Sequence, residues 1–265
     1  MSVNRWLGIS LAALTLGLQG RAPCPGGQPR ILLADSFDSG QLDPQKWKVT
    51  LAHDFSERST DVVNRAAAGL PPNYQLRLRA GTLRTDDRTV KFLGVVSAKP
   101  VDLRTRKQIE FDLDWNQQAN GSYLTAGILL SPTLTTGSAE EELDWTMFQY
   151  VGVPPGRNAR SVVAKKVGGR LQLLDTEGWP EQQRAGRRIE KQHVKMLLDA
   201  KSLRVYENGR LLYETENLNL TFTTAYLYLQ ISSHSNYPPR EVFFDNVVVR
   251  EDCEPAAPKK KEVKR

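Results

Sequence analysis

The chain has 265 residues, 40% of them hydrophobic and 25% charged, so it is long enough for one large domain with a substantial core. The formal net charge of +6 comes mainly from the two ends, because both arginines before residue 22 and a run of lysines after Cys253 lie outside the central part. The central part is close to neutral, which argues against nucleic acid as a partner, since a nucleic-acid-binding domain carries a basic patch.

The first residues resemble a secretory signal peptide. A short basic start is followed by an apolar run from Trp6 to Leu18 and by small residues at Gly20 and Ala22. The run is too short to cross a bilayer as a helix, although a membrane anchor is the alternative interpretation. We therefore predict that residues 1–22 are a removed leader. The mature protein is then exported, to a periplasm or outside the cell, without stable membrane insertion.

The remainder shows the two-residue alternation of half-buried β-strands. The alternation is clearest over residues 74–79, 108–115 and 225–231. Asn208-Gly209 and Gly168-Gly169 each separate two apolar segments, as is typical of tight β-hairpins. Many short strands with turns between them predict an all-β fold, an antiparallel β-sandwich.

The two cysteines bracket the predicted domain, residues 23–253. In an exported protein, Cys24 and Cys253 are expected to form a disulfide, and two unpaired thiols are the alternative. The last segment, residues 254–265, has no apolar face to bury and is predicted to be a disordered basic tail.

The segment from Glu142 to Phe148 is predicted to be the functionally important strand. Because successive strand side chains point to opposite faces, Glu142 and Asp144 would share one face, and Trp145 and Met147 would share the core face. Two neighbouring carboxylates on the concave side of a sheet are typical of sites that cleave glycosidic bonds. We therefore predict that this pair projects from the concave side of the sandwich.

Other residues are predicted to complete a sugar-binding surface. Aromatic rings and amides suit sugar faces and hydroxyls, although ordinary packing between strands is the alternative for each of them. The candidates beside the acidic pair are Tyr226, Tyr228, Gln230, His234 and the loop residue Trp179. Glu110 and Asp112 alternate on another strand and are expected on the same concave sheet as Glu142. Their alternative role is the solvated face of an antiparallel strand.

Six segments carry a family resemblance in their order and spacing. They are residues 35–47, 94–99, 107–113, 127–132, 142–144 and 243–249. Together they resemble the concanavalin A-like lectin/glucanase superfamily, most closely the laminarinase- and lichenase-type β-glucanases. The resemblance implies a jelly roll in which Glu142 is the nucleophile and Asp144 assists it. The family's acid/base glutamate has no counterpart, because Thr146 and Met147 occupy the positions where it is expected.

The resemblance also implies a structural calcium ion held by Asp245 of the closing strand. Calcium takes six to eight oxygen ligands, and the sequence identifies only this one, so a hydrogen-bonded strand residue is the alternative.

Two functions from different classes follow from these observations. The first is an exported glycan-binding protein, a monomer that binds a polysaccharide or oligosaccharide and lacks standard glycosidase activity. The second is a glycoside hydrolase with Glu142 as nucleophile and a non-standard proton donor. We favour the first, because help from a second carboxyl group is central to glycoside cleavage. A structural envelope protein without a sugar ligand is a third possibility.

Overall fold

A computed structural model describes residues 24, 28–53, 55, 57–81, 90–115, 124–153, 158–176, 189–234 and 239–253. These residues form sixteen strands and one 3-10 turn, Ala139–Glu141. The strands are β1 (Ile31–Asp35), β2 (Trp47–Ala52), β3 (Glu57–Asn64), β4 (Tyr74–Gly81), β5 (Val90–Ser97), β6 (Val101–Asp102), β7 (Lys107–Asp114), β8 (Thr125–Ser131), β9 (Trp145–Val153), β10 (Asn158–Val167), β11 (Arg170–Thr176), β12 (Lys191–Leu198), β13 (Leu203–Glu207), β14 (Arg210–Thr215), β15 (Thr224–His234) and β16 (Arg240–Glu251).

The strands form two antiparallel sheets. The first sheet has the order β14-β13-β12-β7-β16-β4-β3, and β1 pairs with β16 beside it. The second has the order β11-β10-β9-β8-β15-β5-β2, and β6 pairs with β15. The two sheets pack face to face, so the predicted antiparallel β-sandwich is confirmed. None of the described segments forms a helix with the length and apolar character that a membrane crossing requires.

Two hairpins form at the dipeptides that predicted them. Asn208 and Gly209, which join β13 to β14, have φ angles of 49° and 81°. Gly168 and Gly169, which join β10 to β11, have φ angles of 54° and 80°. Two successive positive φ angles match the twist of paired strands, and glycine and asparagine adopt them most readily.

The core lies between the inward faces of the two sheets. The first sheet contributes large apolar side chains that are fully buried, among them Leu76, Ile109, Phe111, Val194 and Phe244. The second sheet contributes Val95, Ile128, Phe148, Leu227 and Leu229. Burial of this apolar surface is the main force that holds the two sheets together.

The predicted disulfide is confirmed. Cys24 and Cys253 are bonded, with 4.9 Å between their Cα atoms. The bond lies where the chain ends already meet, because β1 pairs with β16 and the Glu251 amide donates to the Arg30 carbonyl at 3.0 Å. The predicted leader and basic tail lie outside the described residues.

Candidate functional site

The strand that was predicted to carry the acidic pair begins later than expected. β9 starts at Trp145, and Glu142 and Asp144 precede it in bends. Within β9, Phe148 and Tyr150 belong to the core between the sheets, whereas Trp145 and Met147 belong to a separate apolar cluster on the outer face of the second sheet. The predicted assignment of faces is therefore wrong. Both faces of β9 are apolar, so alternation alone cannot identify the inner one.

The two acids do not project together from one strand face. The Asp144 carboxylate accepts hydrogen bonds from the Gly168 amide at 3.0 Å and from the Thr221 hydroxyl at 2.8 Å. It thereby ties a hairpin turn to a loop at the end of the sandwich. Glu142 lies near the Tyr228 phenol instead. Burial raises the pKa of Tyr228, and the negative charge of Glu142 raises it further.

A loop covers the upper part of the outer face of the second sheet. We name it the β8–β9 loop, residues 132–144. The Tyr228 hydroxyl donates to the Thr133 carbonyl at 2.7 Å and accepts from the Thr135 amide at 2.9 Å. The loop extends as far as the edge strand β2, where the Leu51 amide donates to the Thr136 carbonyl at 2.7 Å. Tyr228 is fully buried beneath this loop. It anchors the loop, which agrees with the packing alternative for this residue, and its contact with a ligand stays a prediction.

Glu140 is a carboxylate of functional character that the sequence analysis missed. It lies in the β8–β9 loop, and Gln230 Nε2 of β15 donates to its Oε1 at 2.8 Å. Burial raises the pKa of Glu140 to about 7, although the bond from Gln230 and the charge of Lys166 act in the opposite direction. A carboxyl group with such a pKa can give or take a proton near neutral pH. The only sequence signal was a run of three glutamates, of which Glu142 alone lies in a segment that resembles the β-glucanase family.

A polar row crosses the outer face of the second sheet beside Glu140. Its members are neighbours on five adjacent strands, and we name it the glutamine row: Thr50, Gly94, Gln230, Gly127 and Gln149. The predicted ligand residue Gln230 therefore lies at its centre.

The two glycines of the row leave gaps between its side chains. A Cβ atom at Gly94 would lie 2.2 Å from the Leu229 carbonyl oxygen, and one at Gly127 would lie 2.2 Å from that of Phe148. Neighbouring strands approach so closely at these positions that only glycine fits. As a result, no side chain separates Gln149 from Gln230 across β8.

Gln149 has an unusual environment for an amide. Only 9% of the residue is exposed, and no hydrogen bond among the described residues uses its side chain. The amide atoms keep contact with solvent at the outer face of the sheet, so their hydrogen-bonding capacity is available to a ligand. The next row down is also polar, since the hydroxyls of Thr125 and Ser232 are hydrogen bonded at 2.5 Å. Half-buried Tyr226 lies on the same face near the end of β8.

Two predicted ligand residues lie outside this description. Trp179 lies among residues that the structure does not describe, and of His234 only the backbone at the end of β15 is described. Their ligand contacts stay predictions.

Glu110 and Asp112 lie on the opposite side of the sandwich. They belong to β7 of the first sheet, so the prediction that they share a sheet with Glu142 is wrong. Asp112 accepts a hydrogen bond from Asn246 at 2.8 Å and contacts His193 Nδ1 at 2.8 Å. Glu110 lies 3.4 Å from Arg250. These contacts describe a solvated, ion-paired strand face, and neither residue can share one binding site with Gln230.

The surroundings of Asp245 do not fit the calcium site that the resemblance implied. Its carboxylate accepts hydrogen bonds from the Asn246 amide at 2.7 Å and from the Gln75 side chain at 3.3 Å, and burial raises its pKa. Calcium requires several converging oxygen ligands. Among the described residues, no three side chains of His, Cys, Asp or Glu come together as metal ligands.

Comparison with known proteins shows the fold class. No family model and no curated protein matches the chain. Among solved structures, it is similar to a GlcNAcα1-4Gal-releasing endo-β-galactosidase from Clostridium perfringens, with a TM-score of 0.56 and 12% identity over 90% of this chain and 66% of that one. It is also similar to LamAcat from Zobellia galactanivorans, with a TM-score of 0.51 and 16% identity over 84% of this chain and 97% of that one. The globular domain of T. cruzi calreticulin is similar with a TM-score of 0.55 and 13% identity, over 84% of this chain and 88% of that one. At these identities the likeness shows the β-sandwich fold alone.

Proposed function

We propose that the chain is an exported glycan-binding protein that holds a polysaccharide or oligosaccharide against the glutamine row. The observation that carries this proposal is the unpaired amide of Gln149, a residue that is 9% exposed, beside Gly127 on the outer face of the second sheet. A side-chain amide both donates and accepts hydrogen bonds, as sugar hydroxyls do. A ligand in the gap above Gly127 would contact the Gln149 and Gln230 side chains and would form hydrogen bonds with the unpaired Gln149 amide.

Two further observations support the proposal. The fold is shared with an endo-β-galactosidase and with one protein described among the endo-acting O-glycanases of the human gut microbiota, to which the chain is 17% identical with a TM-score of 0.53. The Cys24–Cys253 disulfide supports export, because disulfides persist in oxidising compartments.

The outward side chains of β9 support the absence of standard glycosidase activity. Trp145, Met147 and Gln149 occupy the face where paired acids were predicted. A glycosidase requires two carboxyl groups on either side of the bond that it cleaves. Among the described residues, Glu140 alone presents a carboxylate directly to the glutamine row.

Substitution of Gln149 by leucine should weaken glycan binding about tenfold, because one buried hydrogen-bonding group is lost at similar volume. Binding would be measured by affinity electrophoresis and calorimetry against laminarin, barley β-glucan, galactan and gastric mucin. Gln172→Leu is the matched control, since Gln172 is an exposed glutamine of β11 in the same sheet. If no polysaccharide binds, or if both variants bind as wild type does, the glutamine row is not the binding site.

Glycoside hydrolysis is a second candidate function, and the pKa of Glu140 favours it. A carboxyl group with a pKa of about 7 can act as the proton donor, and Glu142 would then be the nucleophile, as the family resemblance implies. Reducing-end release from the same polysaccharides should then fall as the pH rises above 7, and Glu140→Gln should abolish it. Glu216→Gln, which alters a surface carboxylate paired with Arg204, should leave it unchanged. Absence of release by the wild type would remove this candidate.

A further inference from the structure

The β8–β9 loop is held over the second sheet by contacts that converge on one residue, Glu140, two at its backbone carbonyl and one at its side chain. Lys166 Nζ of β10 and Trp145 Nε1 of β9 donate to the Glu140 carbonyl at 3.0 and 3.2 Å. Gln230 of β15 donates to the Glu140 side chain. Three strands of the sheet therefore contact the same loop residue, and each of these contacts requires the loop to be closed.

The contact between Glu140 and Gln230 also involves the glutamine row. The Gln230 Nε2 atom that donates to Glu140 is a donor that a sugar hydroxyl would use. While the loop is closed, the protein's own carboxyl group occupies the centre of the row. Release of the loop would free this amide for a ligand.

We propose that the β8–β9 loop is a pH-dependent cover of the glutamine row, closed by neutral Glu140 at acid pH and loosened when Glu140 ionises. The consequence for glycan binding rests on the proposed function, whereas the movement of the loop does not. The charged form is disfavoured because the closed loop removes part of the water around Glu140, which stays half-buried, and opening restores its full hydration.

The other charged groups around Glu140 do not reverse the preference for its neutral form in the closed loop. Among the described residues, Lys166 is the cation whose charge acts on Glu140, and that charge only partly offsets the effect of burial. On the loop itself, Glu141 lies 3.5 Å from His53 Nε2, and this pair is charged only when His53 is protonated. Glu142 lies two residues further along the loop, where its negative charge acts on the Tyr228 phenol.

Hydrogen exchange of the full chain at pH 5 and pH 8 tests the loop directly. After correction for chemical exchange, protection of amides in residues 132–144 should fall by roughly a hundredfold between the two pH values. Glu140→Gln retains a hydrogen-bond acceptor but cannot ionise, so its loop protection should be the same at both. Glu216→Gln, on the other sheet, should behave as wild type does. Equal wild-type protection at the two pH values, or a pH effect that survives in Glu140→Gln, would overturn the proposal.

Binding of laminarin, barley β-glucan, galactan and mucin at the same two pH values separates this inference from the proposed function. Wild type should bind its polysaccharide more tightly at pH 8 than at pH 5, and Glu140→Gln should show no such difference. Loop opening without binding of any polysaccharide would contradict the proposed glycan binding but would still support the proposed pH-dependent cover. Binding with an unchanged loop would contradict the cover alone.

Discussion

Replacement of Cys24 and Cys253 by serine should lower the free energy of unfolding by about 2–5 kcal/mol. The bond closes a loop between residues that are 229 positions apart, and so long a cross-link strongly restricts the unfolded chain. The native ends should stay in place without it. The β1–β16 pairing persists, and Arg30 and Arg106 form ion pairs with Glu251 and Asp252.

Denaturant unfolding with and without reductant provides the measurement. Reduced wild type should match the double serine variant, whereas reductant should not affect the variant itself. The glutamine row lies in the second sheet and the disulfide joins strand ends of the first, so glycan binding under native conditions should be unchanged. A stability loss well below 1 kcal/mol would show that the unfolded chain remains compact without the bond.

Local sequence patterns were sufficient to predict the strands. Two-residue alternation identified β4, β7 and β15, and glycine-containing dipeptides identified both hairpins, because each signal depends on neighbours along the chain. The sheet to which a strand belongs is a long-range property. Glu110 and Asp112 alternate in the same way in either sheet, and only the pairing of β7 with β12 and β16 places them opposite the glutamine row.

The candidate site depends even more on long-range contacts. Trp145 and Met147 suggested an inner face because they are large and apolar, yet they are buried by a loop on the outer face. Of the three neighbouring glutamates, the sequence singled out only Glu142, by its family resemblance, and nothing in it identified Glu140. Its distinct chemistry arises because the β8–β9 loop carries this side chain to Gln230 and partly out of water. Alternation predicted the face on which Gln230 lies, but not that Gln149 shares it.

Glu140→Gln should make the protein more stable at pH 8 by up to about 3 kcal/mol and should change its stability little at pH 4. Below pH 4.5 the carboxyl group is neutral in both the folded and the unfolded chain. Between pH 4.5 and about 7 the folded protein retains a proton that the unfolded chain has released, so wild-type stability falls as the pH rises through this window. Above pH 7 Glu140 is ionised in both the folded and the unfolded chain, so the folded protein bears the full free-energy cost of burying its charge. Glutamine avoids that cost and still accepts the hydrogen bond from Gln230.

Denaturant unfolding of wild type and Glu140→Gln at half-unit steps from pH 4 to pH 8 would measure this difference. The two stability curves should coincide at the acid end and diverge steadily up to about pH 7. Glu216→Gln should run parallel to wild type throughout, because Glu216 is exposed at the surface of the first sheet. If the difference in unfolding free energy between wild type and Glu140→Gln did not change with pH, Glu140 would have the same pKa in the folded and the unfolded chain. In that case burial by the loop would not be the origin of its raised pKa, and the argument for a pH-dependent cover would fail with it.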